Sequence, residues 1–227
     1  MDAAGRTGHR TSTGCAFRYS TIMKLQFKSL FCALILGALF TDKTLGQNGK
    51  PDGEGFIRDW LMLAPIPLTL ENSGAEYIKE EQVEKESSLK PREGDKVKIK
   101  DKELAWKSVH CKDYLFDLNE ILGAPRENVA GYMVAYLVCD KELADLTLLI
   151  GSNDQARIYL NGKEVFKFTE TRTIEKDSDK VEKLTLNKGV NTIVFKVINE
   201  VNNWQGCLRF TDKSGKPVTD LAVKLSP

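Results

Sequence analysis

Apolar and polar positions alternate along most of the chain from Leu104 onward. In ADLTLLI, Ala144, Leu146, Leu148 and Ile150 fall on one face. In ARIYL, Ala156, Ile158 and Leu160 alternate with Arg157, Tyr159 and Asn161. A period of two is that of a strand with one buried face. The segment NVAGYMVAYLVC (128–139) is apolar at nearly every position, as expected of a central strand covered on both sides. LAWKSVHC (104–111) reads as a strand, with Tyr114 to Leu118 as its continuation. VEKLTL (181–186), the turn Asn187-Lys188-Gly189 and VNTIVFKVI (190–198) read as a hairpin, and GCLRFTD and LAVKL follow as two further strands. Short runs separated by Gly, Asn and Asp turns predict an all-β fold, an antiparallel β-sandwich.

Asn161-Gly162 is the strongest turn signal. It lies between ARIYL and EVFKF. A two-residue type I′ turn needs positive φ at both positions, and Asn-Gly meets that at least cost, so those two strands should pair. Upstream, FIRDWLMLAPIPLTL (56–70) contains Pro65 and Pro67, so a strand from Ile57 to Leu63 is expected to stop at Pro65. Residues 71–103 are densely charged. A short helix after Ser73, within 75–89, would hold on only through Tyr77, Ile78 and Val83, so the segment reads as a solvated excursion.

The N-terminus has a different character. Lys24 and Lys28 precede an eleven-position apolar run, Leu30 to Phe40, and Thr44 and Gly46 place small residues three and one before Gln47. That layout predicts a signal peptide over 23–46. Residues 1–22 then read as a disordered leader or a misassigned start, and 47–227 as a single β-sandwich domain with a charged excursion at 71–103. The expected localisation is secreted or periplasmic, with no membrane span after signal removal.

Residues 1–46 carry six Lys/Arg and two Asp/Glu, out of 33 and 32 in the chain, so the remainder is slightly acidic. No basic stripe interleaves with aromatics, and nucleic acid is not an expected partner. Three cysteines remain after processing, Cys111, Cys139 and Cys207, which leaves one disulfide plus a thiol, or three buried thiols, as the alternatives. Their spacing is not that of a zinc site.

The chemistry-bearing candidates cluster at one corner, Gly151-Ser152-Asn153-Asp154. Asn and Asp there stabilise tight turns through their own backbone. The same oxygens could hold sugar hydroxyls or Ca²⁺, with Asp177 and Asp179 of EKDSDK as further carboxylates. Trp60, Trp106 and Trp204 are the aromatic faces available for stacking on a pyranose. Trp204, in a polar loop after Val201-Asn202-Asn203, is the best placed. Arg157, Arg172 and Arg209 could meet an acidic sugar or form salt bridges.

GSNDQARIYLNGKEVF, followed by LNKGVNTIVFKVINEVNNWQGCLRFTDKSGKP, resembles the galactose-binding-domain-like jelly-roll modules. Such modules are common beside bacterial glycoside hydrolases and in secreted proteins of planctomycete-type bacteria. In them a GSDDG-x-WLNG hairpin precedes a KGWN strand and a WGF-LR strand. WLMLAPIPL is similar to their opening WLVLGPF strand. The likeness spans roughly 55–227, with its motifs mostly in 145–217. Related PA14-type lectins use two adjacent acids in the corner for calcium-assisted sugar binding, where this chain has Asn153-Asp154.

The resemblance implies a carbohydrate-binding-module-like protein, with Asn153, Asp154, Arg172 and Trp204 as ligand-binding candidates. Asp154, Asp177 and Asp179 are the candidates for calcium. The partner expected is a glycan or cell-surface polysaccharide, the alternative a secreted protein. Little points to catalysis. His110 is the only histidine after processing, and no nucleophile elbow or phosphate loop occurs. A non-catalytic module is therefore expected, with a structural or protein-interaction module second and a glycan-active hydrolase third.

Overall fold

The computed structural model describes residues 49–227, so the leader at 1–22 and the signal peptide at 23–46 lie outside the described residues. The strands are β1 (Asp59–Pro67), β2 (Lys96–Ile99), β3 (Lys102–Ala105), β4 (Lys107–His110), β5 (Phe116–Asp117), β6 (Val129–Cys139) and β7 (Leu143–Ser152). They continue with β8 (Ala156–Leu160), β9 (Lys163–Phe168), β10 (Asp179–Leu186), β11 (Gly189–Asn199), β12 (Gln205–Thr211) and β13 (Ala222–Lys224). Two short helices, α1 (Gly74–Tyr77) and α2 (Leu118–Leu122), and a 3-10 turn at Glu86–Ser88 complete the set. No helix among the described residues is long and apolar enough to cross a membrane.

The strands form an antiparallel sandwich. One sheet runs β4-β1-β6-β11-β8-β9, with β13 added to β6 beyond the stretch that β1 pairs. The other runs β10-β7-β12-β5, and β2 and β3 pair only with each other. From β5 onward the chain passes back and forth between the two main sheets, staying in one only from β8 to β9. That connection is the Asn161-Gly162 turn. Both residues have positive φ, 52° and 83°, as a type I′ turn requires. Asn161 also accepts the Thr192 N–H on its side-chain oxygen at 2.9 Å, tying the turn to β11.

The alternation read from the sequence is the alternation of burial. Leu146, Leu148 and Ile150 of β7 and Leu208 and Phe210 of β12 face Met133, Ala135, Leu137, Ile193, Phe195, Ile158 and Leu160 across the sandwich. Burying each of the larger of these side chains stabilises the fold by roughly 1.5–3 kcal/mol. β6 is buried on both faces, as its unbroken apolar run requires. Its other face presents Ala130, Tyr132, Val134 and Tyr136 to a second core, on the outside of the larger sheet.

That second core corrects the expectation of a solvated excursion. Tyr77, Ile78 and Val83 are buried there, joined by Trp106, with Leu89, Val97, Ile99 and Leu104 packed around them. The segment 71–103 is a strap across the large sheet. Its apolar residues are few and irregularly spaced, so they leave no periodic trace. Its helix is a single turn. Ser73 precedes it, and the Glu76 carboxylate accepts the Ser73 N–H at 2.8 Å.

Two further expectations change. β1 does not end at Pro65 but continues to Pro67, with a register shift against β6 between Leu63 and Ile66 that accommodates the missing proline N–H. VEKLTL and VNTIVFKVI do not pair. β10 bonds to β7 in the smaller sheet and β11 to β6 and β8 in the larger. The turn between them carries the chain from one layer to the other.

Candidate functional site

The corner between β7 and β8 is folded in on itself. Ser152, Asn153, Asp154 and Gln155 are all buried, and Asp154 adopts a left-handed φ of 57°. The Asn153 N–H donates to the Gln205 carbonyl at 2.9 Å and the Asp154 N–H to the Arg172 carbonyl at 3.1 Å. Asn153 Nδ2 donates to the same Arg172 carbonyl at 2.9 Å. Asp154 Oδ2 accepts the Glu200 N–H at 3.0 Å. The Glu200 carboxylate accepts from Gln155 Nε2 and from the Gly74 N–H, each at 2.9 Å, so it joins the corner to the first turn of the strap. Burial raises the Asp154 carboxyl above the ordinary aspartate range, while the Glu200 and Arg172 backbone N–H groups pull the other way.

Arg172 is held from three sides. Its guanidinium lies 3.7 Å over the Phe168 ring, its Nε and Nη2 donate to the Ser152 carbonyl and hydroxyl at 3.1 and 2.8 Å, and Nη2 also meets Asp179. Beside it lies an open depression of about 580 Å³, lined by Asn153, Asp154, Thr171–Thr173 and Val201–Asn203. Asn153 Oδ1 is buried without a hydrogen-bond partner in the protein. Three of the ligand candidates, Asn153, Asp154 and Arg172, are thus brought together.

Trp204 is not among them. It is fully buried in the core between the sheets, and its Nε1 donates to the Val197 carbonyl at 3.3 Å. Its indole sits so close to Gly131 that a Cβ there would fall 2.7 Å from Cζ2. A sugar cannot reach either face of the ring. The polar loop Val201–Asn203 is exposed, but the chain turns inward at residue 204. Trp60 is likewise in the inner core and Trp106 in the outer one, so none of the three tryptophans offers a stacking surface.

The calcium candidates do not converge. Asp177 pairs with Arg209 through both carboxylate oxygens, Asp179 pairs with Arg172, and Asp154 caps Glu200. Among the described residues no group of three or more His, Cys, Asp or Glu side chains is placed to hold a metal ion. Each arginine weighed for an acidic sugar is in an ion pair, Arg157 with Glu86 and Glu164, Arg172 with Asp179 and Arg209 with Asp177.

The histidine and the thiols do not form a nucleophilic pair. His110 is exposed with Nδ1 2.7 Å from Asp59 Oδ1, whereas its neighbour Cys111 points into the core. Cys111, Cys139 and Cys207 are all free and buried. Burial pushes the Cys111 and Cys207 thiols up to about 12 from 9.0. At pH 8 only about one part in 10⁴ of each is then thiolate. Both should resist a thiol-specific disulfide reagent in the native protein and react fully once unfolded; rapid native labelling would contradict their placement. The unfolded chain releases these protons near pH 9 and the folded chain only near 12. Their contribution to stability is therefore full below 9 and falls as pH rises toward 12, which urea titrations at successive pH values would measure.

A second constellation lies under the strap and has no counterpart in the sequence reading. Glu86 and Lys196 are fully buried with Glu86 Oε2 3.1 Å from Lys196 Nζ. Glu86 Oε1 accepts from the Tyr159 hydroxyl at 2.6 Å and Arg157 Nη1 at 3.2 Å, and Oε2 accepts from the Tyr132 hydroxyl. Lys196 Nζ also donates to the Tyr77 and Glu80 carbonyls. Burial lowers the Lys196 ammonium pKa against the pull of Glu86, and burial raises the phenols of Tyr132 and Tyr159. A polar position in the middle of the apolar run of β11 was the available signal for Lys196. Nothing singled out Glu86 among the charges around it.

No protein-family model matches the chain, and no curated protein matches it. Among solved structures, a glycosyl hydrolase family 2 member from Bacteroides cellulosilyticus DSM 14838 is similar over 70% of this chain and 21% of that one, with 13% identity and a TM-score of 0.37. The functional reading therefore rests on the site itself.

Proposed function

We propose that this chain is a secreted, non-catalytic β-sandwich module of the galactose-binding-like kind, which recognises carbohydrate by hydrogen bonding in the rim depression beside Asn153 and Asp154. The observation that carries this reading is the open polar hollow on the rim, lined by Asn153, Asp154, Thr171–Thr173 and Val201–Asn203. Thr171, Thr173, Asn202 and Asn203 line the same hollow and supply further donors and acceptors. With Trp204 inside the core, affinity comes from hydrogen bonds alone and is on the order of millimolar.

A glycan array followed by titration calorimetry, with and without calcium, tests the reading. Binding is expected without calcium, and Asn153→Ala should weaken it by at least about tenfold. An array without signal in either condition overturns it. A pull-down of one protein partner, insensitive to Asn153→Ala, would instead favour the protein-interaction module.

A further inference from the structure

The strap over the large sheet is joined to the sandwich in an unusual way. Among the described residues, no backbone-to-backbone hydrogen bond links 71–103 to either main sheet. Its hairpin, β2 with β3, pairs only with itself, and an isolated two-stranded hairpin is marginal in water. What holds the strap is side chains. Its apolar residues fill the second core, and its polar contacts run to Lys196, Arg157, Tyr132, Tyr136, Tyr159 and Glu200. Four of those six meet at one strap residue, Glu86.

The inner core does not share this dependence. It lies on the opposite side of the large sheet, with its own tryptophans, Trp60 and Trp204, and its own aromatic contacts between Trp60, Phe116 and Phe195. Removing the strap would leave both main sheets with their backbone pairing intact.

From this arrangement we infer that the strap is a detachable layer, bolted by Glu86, which opens as one unit while the sandwich beneath it stays folded. Opening uncovers an apolar face made by Leu61, Leu63, Tyr132, Val134, Tyr136 and Val194. Trp106 belongs to the layer that opens, since its N–H and carbonyl bond to Asp95 and Gly94 within the strap's own hairpin. The charged outer side of the strap and its buried bolt are two parts of one device: the charges keep the cover soluble, and the single buried carboxylate sets its position on the sheet.

Native-state hydrogen exchange in low urea tests the inference. The amides of Ile78, Lys79 and Trp106 should exchange together, at least about 100-fold faster than those of β6 and β11. Glu86→Gln should speed the strap amides by about a further 100-fold and leave β6 and β11 unchanged. Urea unfolding supplies a second measurement that leaves Glu86 in place. A fluorescence step that vanishes in Trp106→Phe should precede loss of the far-ultraviolet β signal. Equal protection of strap and sandwich amides, or coincident fluorescence and far-ultraviolet transitions, would overturn it. So would a Glu86→Gln protein whose strap amides exchange at the wild-type rate.

Discussion

Trp204→Ala is expected to lower the free energy of unfolding by about 3–5 kcal/mol, the usual cost of emptying a large aromatic site in a packed core. The indole fills space that little else can occupy. It lies against Gly131 of the central strand and Leu118, and a glycine at 131 is what allows the approach. Its N–H satisfies the Val197 carbonyl on β11, and the Trp204 carbonyl accepts the Leu118 N–H at 2.8 Å, docking α2 onto β12. Alanine leaves the backbone contact but opens a cavity between both sheets. Urea denaturation followed by far-ultraviolet circular dichroism measures the loss, and Trp204→Phe should recover part of it. Carbohydrate binding by Trp204→Ala should track its folded fraction. A variant as stable as wild type that had lost binding would place the indole in a site that the fold does not show.

The second large effect is expected at Lys196. Lys196→Ala should destabilise by about 3–5 kcal/mol, because it leaves the Glu86 carboxylate buried with one of its cations gone. Lys196→Met should cost less, since it keeps most of the volume of a fully buried side chain. Pairing each change with Glu86→Gln in a double-mutant cycle isolates the interaction between the two residues from the loss of packing. Additive effects would show that Arg157 and the two tyrosines already satisfy Glu86, with Lys196 serving only its strap carbonyls.

The sign of the pH dependence follows from the same burial. Lys196 has a lowered pKa in the folded protein, so between that value and the ordinary lysine range the unfolded chain holds the proton more often. In that window the lysine makes stability rise with pH. Tyr132 and Tyr159 have raised values, so above the ordinary tyrosine pKa of 10.0 they make stability fall. Lys196→Met removes the first contribution and should leave the alkaline fall of the tyrosines and buried thiols in place.

Strands were legible because their signal is local. A residue's face is set by its neighbours two positions away, so β7 and β8 are visible in their own residues, and β6 in its unbroken apolar run. The Asn161-Gly162 turn was legible for the same reason, since positive φ is a property of the two residues themselves. Pairing between strands was less so. Asn187-Lys188-Gly189 looks like a hairpin turn, yet it hands the chain from one sheet to the other. A turn signal records that the chain bends, and which layer receives the next strand depends on where space remains.

The corner was legible as a place and not as a mechanism. Its Asn and Asp stood out, and the fold does gather Asn153, Asp154 and Arg172 there. What each oxygen bonds to depended on Glu200 and Arg172, which come from other strands and loops. The same holds for the direction of Trp204, where a polar loop preceded a residue that turns inward.

Composition and alternation along the chain thus suffice for an antiparallel sandwich, its central strand and its tightest turn. The strap, its bolt and the partners of every buried charge came only from the folded arrangement. Glu86 meets Lys196, Arg157 and Tyr132 across separations of 110, 71 and 46 residues. Backbone periodicity is written between near neighbours, whereas the burial of a charge is settled by which distant side chains arrive to neutralise it.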